Sequence, residues 1–124
     1  MNQWIGTGNL GSNPVLRHTD SGRSVTNFSI AVDRVYYKTE GNSKVRVEAV
    51  DWIPVVCWGT LADTVARYCQ KGSLVGVKGE LRQRSYEDDT GTTRRVFEIV
   101  ADKVEFLSNI RSNADVASQQ TAEA

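Results

Sequence analysis

The sequence predicts an all-β domain of five strands in Greek-key order, with one helix between strands three and four. Three observations predict it. Runs rich in β-branched and aromatic residues alternate apolar and polar positions with period two. Clusters of Gly, Pro, Asn, Asp and Ser punctuate those runs. The period turns helical in one place only, residues 60–72.

Residues 2–10 form the first strand, closed by the turn cluster Gly11-Ser12-Asn13-Pro14. Residues 15–18 are a short extended piece before the Asp20-Ser21-Gly22 turn. Residues 24–38 make a long strand with Thr26, Phe28, Ile30 and Val32 on one side. After a polar loop at residues 39–43, residues 45–58 form the third strand. Thr60 and Asp63 read as a weak capping box opening the helix. Leu61, Val65 and Cys69 give it an apolar stripe, and Lys71-Gly72 read as its end. Residues 73–86 and 93–106 form a final hairpin around Asp88-Asp89-Thr90-Gly91, with bends expected at Gly76 and Gly79. This order fits a five-stranded Greek-key barrel of the OB type spanning residues 1–107. Residues 108–124, rich in Ser, Asn, Ala and Gln, read as a flexible C-terminal tail.

The chain of 124 residues is one domain with a modest core. Its 15 basic and 15 acidic residues cancel. A nucleic-acid binder usually carries surplus positive charge, so a binding face here requires segregated charge. The absence of a long apolar run and of a signal-peptide pattern points to a cytoplasmic protein with no membrane span. Cys57 and Cys69 lack metal-ligand spacing and read as buried hydrophobes, with no cofactor or metal expected.

Strand alternation places Trp52 and Trp58 on one face, about 20 Å apart at about 3.3 Å per residue. It also places Arg82, Arg84 and Tyr86 together, and Arg34 with Tyr36. Flat rings interleaved with arginines suit single-stranded nucleic acid, which offers unpaired bases and phosphates. Two buried core tryptophans with solvated arginines satisfy the same pattern. For Arg34, an ion pair with a nearby acid is the alternative to a phosphate contact. Nothing builds a reaction centre: no Walker-type loop or acidic metal cluster is present, and His18 has no matching partner motif.

Gly8-Asn9-Leu10-Gly11, Pro14, Ala31-Val32-Asp33-Arg34, Val55-Val56-Cys57-Trp58-Gly59 and the run from Tyr68 to Val77 resemble the bacterial single-stranded DNA-binding protein family. The likeness covers residues 2–107 in unbroken order and is nearest to Gram-positive versions. It implies an OB-fold, non-enzymatic protein, usually a homotetramer. Such a protein coats single-stranded DNA without sequence preference in replication, recombination and repair. By motif, the resemblance carries base stacking onto Tyr36, Trp52, Trp58 and Tyr86. It carries phosphate binding onto Arg17, Lys71, Arg82 and Arg84, with Arg34 added from its place beside Tyr36.

Three departures qualify the likeness. Trp4-Ile5-Gly6-Thr7 stands where the family has an apolar run that commonly pairs between subunits, making a dimer the alternative to the tetramer. Pro54 requires an edge or a bulge in the third strand. The sequence stops at Thr121-Ala122-Glu123-Ala124 without an acidic tip, so recruitment of repair enzymes through one is not expected. The rival functions are an RNA-directed OB module and an OB subunit that serves assembly alone.

Overall fold

The computed structural model describes residues 1–108, so all of the expected tail except Ser108 lies outside them. The described residues form β1 (Trp4–Leu10), β2 (Arg17–His18), β3 (Ser24–Glu40), β4 (Ser43–Trp58), α1 (Thr60–Tyr68), β5 (Leu74–Glu87) and β6 (Thr93–Ser108). The strand order is β1-β5-β6-β4-β3-β2, and β1 also pairs with β3 at Asn9↔Ala31 and Leu10↔Ile30. The five long strands therefore pair in a ring. The sixth, β2, adds two residues to the outer edge of β3. Two residues carry no periodicity, which is why the alternation pattern gives five strands and not six.

The ring encloses the core expected from alternation. Phe28 and Ile30 from β3, Val55 and Cys57 from β4, Val75 and Val77 from β5 and Ile99 from β6 are buried together. Ala62, Val65 and Cys69 on and just after α1 join them. Thr26, also buried, keeps its hydroxyl satisfied by donating to the Val15 carbonyl at 2.9 Å. The core side of the sheet is thus filled by every second residue, leaving the alternate residues for the outer face.

Several local expectations change. Glu40 pairs with Ser43, so the polar loop contracts to a two-residue Gly41-Asn42 turn, with Gly41 at φ 60° as such turns require. The helix N-cap is Gly59 with no side-chain cap bond, and Thr60 is already helical. The helix ends at Tyr68 because Cys69 is extended (φ −96°, ψ 153°) and turns its thiol into the core. Gly72 belongs to the next turn, where its amide donates to the Leu10 carbonyl at 2.9 Å. Pro54 sits opposite Ser29 in unbroken register, while β4 meets β6 only at Val55 and Val56. Pro54 therefore occupies a free edge and not a bulge, and its missing N–H breaks no ladder bond there. A register shift falls at Lys78/Gly79, where a side chain would lie 2.2 Å from the Val100 carbonyl oxygen; none falls at Gly76.

The β3–β4 and β5–β6 hairpins outrun the core. Residues 33–40 of β3 are exposed on both faces, as are residues 81–87 of β5.

Candidate nucleic-acid interface

The registers decide which candidate residues meet. Val25 faces Trp58 and Ala31 faces Trp52, so both tryptophans stand on the outer side of the sheet. Pro54 and Val56 lie between them on the same side. The core alternative fails for this pair: neither ring belongs to the core cluster, and Trp52 is 58% exposed. The tryptophan that packs against the core is Trp4, whose ring lies over Gly6. A bulky residue followed two positions later by glycine on the same face thus keeps the local volume.

Val56 is the buried floor of a groove on this outer face, although it lies outside the core cluster. The groove, of about 320 Å³, is lined by Arg17, His18, Val25, Asn27, Trp58, Arg84 and Glu98 besides Val56. Three of the predicted site residues, Arg17, Trp58 and Arg84, thereby converge from β2, β4 and β5. Arg82 and Tyr86 flank Arg84 on the same strand face, with Tyr86 44% exposed and the Arg84 guanidinium 6.0 Å from its ring centroid.

Trp52 lies at the far end of the same face. Its ring covers Gly11, where an added Cβ would stand 2.6 Å from the indole. The same turn reaches Lys71, whose amide donates to the Asn13 side chain at 2.7 Å. Lys71 is thus near the Trp52 end and outside the groove. Tyr36 and Arg34 are not on this face. They oppose Val47 and Ala49, which places them on the other side of the β3–β4 hairpin. There the Arg34 guanidinium lies 5.4 Å from the Tyr36 ring centroid and bonds Asp51 at 3.0 Å, so the ion-pair alternative is realised.

Carboxylates also hold Arg82 and Arg84. Arg82 pairs with Glu80, and Arg84 donates to Glu98 at 3.3 Å. Glu98 stands directly across from Arg82 and bonds Arg84 on the diagonal, with only 14% of its side chain exposed. Sequence reasoning missed Asn27, Val56 and Arg23, and also Glu98, whose nearness depends on register between distant strands. Arg23 had a signal: it precedes Val25 by two residues and so shares its face.

Burial, reinforced by Cys69, pushes the Cys57 thiol up to about 12, and burial pushes Cys69 up to about 11. Both are therefore neutral thiols. Among the described residues no group of three His, Cys, Asp or Glu side chains is placed to hold a metal ion. No helix among them is long and apolar enough to cross a membrane.

Fold and site define a class, a small OB-type β domain that presents aromatic rings and guanidinium groups together on the outside of its sheet. The chain belongs to the single-strand binding protein family, whose model matches residues 1–107. It is 44% identical over 108 residues to the single-stranded DNA-binding protein of Clostridium tetani, covering 86% of this chain and 70% of that one. Against single-stranded DNA-binding protein B of Bacillus subtilis the identity is 40%, covering 86% and 89% of the two chains. The fold is shared with Plasmodium falciparum SSB, solved in complex with single-stranded DNA. There the TM-score is 0.76 at 23% identity, over 87% of this chain and 96% of that one.

Proposed function

We propose that this chain binds and coats single-stranded DNA without sequence preference, in replication, recombination and repair. The observation that carries the proposal is the outer-face groove in which Trp58 lies between Arg17 and Arg84, with Trp52 further along the same face. Each base stacked on a ring contributes about 1–3 kcal/mol, and every base has a face to stack, so affinity comes without readout of sequence. Trp52, Trp58, Tyr36 and Tyr86 take bases. Arg17, Arg34, Lys71, Arg82 and Arg84 take phosphates, which makes binding fall with salt. Duplex DNA hides its base faces and gains none of the stacking.

Because Tyr36 and Arg34 lie on the opposite face of the β3–β4 hairpin, a strand using both Trp52 and Tyr36 crosses the hairpin edge. The DNA path is then wrapped and not flat. In this reading the ring of five long strands is the five-stranded Greek-key barrel, and β2 is an appendage that delivers Arg17. Residues 1–107 are the binding domain, residues 108–124 a tail, and the assembly a cytoplasmic homotetramer with the dimer as its alternative.

Intrinsic fluorescence tests the proposal. Poly-thymidine at low salt quenches Trp52 and Trp58, high salt weakens the binding, and duplex DNA leaves the emission unchanged. Emission indifferent to poly-thymidine, with no binding, overturns the coating function.

A further inference from the structure

Arg23 covers the ring of Trp58. Its guanidinium carbon lies 4.4 Å from the centroid of the Trp58 ring, nearer than in any other arginine–aromatic pair among the described residues. The backbone beneath it is fixed. The Arg23 amide donates to the Thr19 hydroxyl at 3.1 Å, and its carbonyl accepts from the Thr19 amide at 2.9 Å. Gly22 at φ 84° closes the turn with a bond to the Thr19 carbonyl at 2.8 Å. The side chain is exposed and makes no ion pair among the described residues, in contrast to Arg34, Arg82 and Arg84.

We propose that Arg23 is a displaceable cap on Trp58 that becomes a phosphate ligand when a base replaces it. The proposal rests on the single-stranded DNA reading given above. A cation–π contact at an exposed site is weaker than the stacking of a base on the same ring, so the exchange runs toward the nucleotide. The guanidinium that leaves the ring has no carboxylate to return to. It is anchored on a hydrogen-bonded turn beside Trp58, where the phosphate following a base stacked on that ring becomes its partner. Arg17, which pairs through Val25 with the same outer face and also lacks an ion-pair partner among the described residues, flanks the ring from β2. A cap of this kind also keeps the Trp58 ring from water until DNA arrives, which limits the exposed apolar patch of the free chain.

The test is a salt series of binding titrations with a fluorescently labelled thymidine oligomer on the full chain, Arg23→Ala and Arg23→Lys. Arg23→Ala is expected to lower the slope of log affinity against log salt by about 0.7, one phosphate on a single strand. Its affinity then falls several-fold at low salt and meets that of the unsubstituted chain at high salt. Arg23→Lys, which keeps the charge but not the planar stack, is expected to keep the slope. Because Arg23 is exposed, both variants should melt at the temperature of the unsubstituted chain. An equal loss at every salt concentration with an unchanged slope overturns the proposal, since Arg23 would then only hold the ring. Tighter binding by Arg23→Ala at every salt concentration overturns it too, since Arg23 would be a lid without a phosphate role. Failure of the unsubstituted chain to bind the oligomer overturns the coating function itself, a result read without any variant.

Discussion

Replacing Gly11 with alanine places a methyl group beneath the Trp52 indole. The new carbon would stand 2.6 Å from Cζ3, 3.2 Å from Cη2 and 3.4 Å from Cε3 of the ring. Carbon atoms settle about 3.5–4.0 Å apart, so the ring must retreat by about 1 Å. Trp52 is 58% exposed and free to do so. Gly11 is not among the glycines at positive φ, and its amide bond to the Ser29 carbonyl at 2.9 Å is open to alanine as well. The fold therefore loses little, within about 0.5 kcal/mol. Binding loses more. A full stack is worth about 1–3 kcal/mol, so Trp52→Ala should weaken affinity about five- to 150-fold. A ring shifted from its seat should forfeit about 1 kcal/mol of that, about fivefold. Anisotropy of a labelled thymidine oligomer measures the affinity without relying on Trp52 as the reporter, and a thermal melt measures the fold. Unchanged affinity for Gly11→Ala beside a tenfold loss for Trp52→Ala would refute the claim that Gly11 seats the ring. Unchanged affinity for both would remove Trp52 from the interface.

Three other outcomes follow from the geometry. Asp88 accepts bonds from the Thr90 hydroxyl, from Arg94 and from the Thr92 and Thr90 amides, which together hold its carboxyl down at about 2. Its stabilisation of the β5–β6 turn is complete above the unfolded value near 3.8 and is lost as pH falls toward 2, so an NMR titration of Asp88 should show a midpoint near 2, and one near 4 would refute the bonding. Cys57 and Cys69 should resist a thiol-labelling reagent at pH 8 in the native chain and both react in denaturant; rapid native labelling would contradict their burial. Trp4→Ala, which removes a partly buried ring from the core edge, should cost about 2 kcal/mol in a denaturation titration and leave affinity per folded molecule unchanged.

Much of this was legible because it is local. Alternation in β3 grouped Thr26, Phe28 and Ile30, and alternation in β4 grouped Trp52 and Trp58; the structure makes the first side the core and the second the outer face. The change of period at residue 60 marked α1, whose end was misplaced because Gly72 serves the following turn. What stayed hidden depends on pairing between distant strands. No local pattern says that Val25 faces Trp58, and so none says that Arg17 and Arg23 flank that ring. Nor does alternation within one strand compare faces between strands. It grouped Arg34 with Tyr36 correctly, but only the β3–β4 register reveals that this pair and Trp52 lie on opposite faces.

The chain's zero net charge and a phosphate-binding face are compatible once the arginines are divided by their partners. Arg34, Arg82 and Arg84 rest on Asp51, Glu80 and Glu98. Arg34 and Arg82 and their carboxylates are all well exposed, and pairs of that kind contribute about 0–1 kcal/mol, so a phosphate can take the carboxylate's place there at small cost; Glu98, only 14% exposed, holds Arg84 more firmly. The displaced carboxylates stay nearby and temper the attraction, Glu98 most of all because it lines the groove itself. Arg17 and Arg23 have no such restraint among the described residues, and both stand at Trp58. The segregation of charge that the composition demanded is therefore not a basic patch. Arg17 and Arg23 put unpaired positive charge beside the half-buried aromatic of the groove, while other cations without an ion pair among the described residues, such as Lys44, Arg67 and Lys78, stand elsewhere. Beside that aromatic a stacked base would bring its phosphate within reach of both guanidiniums.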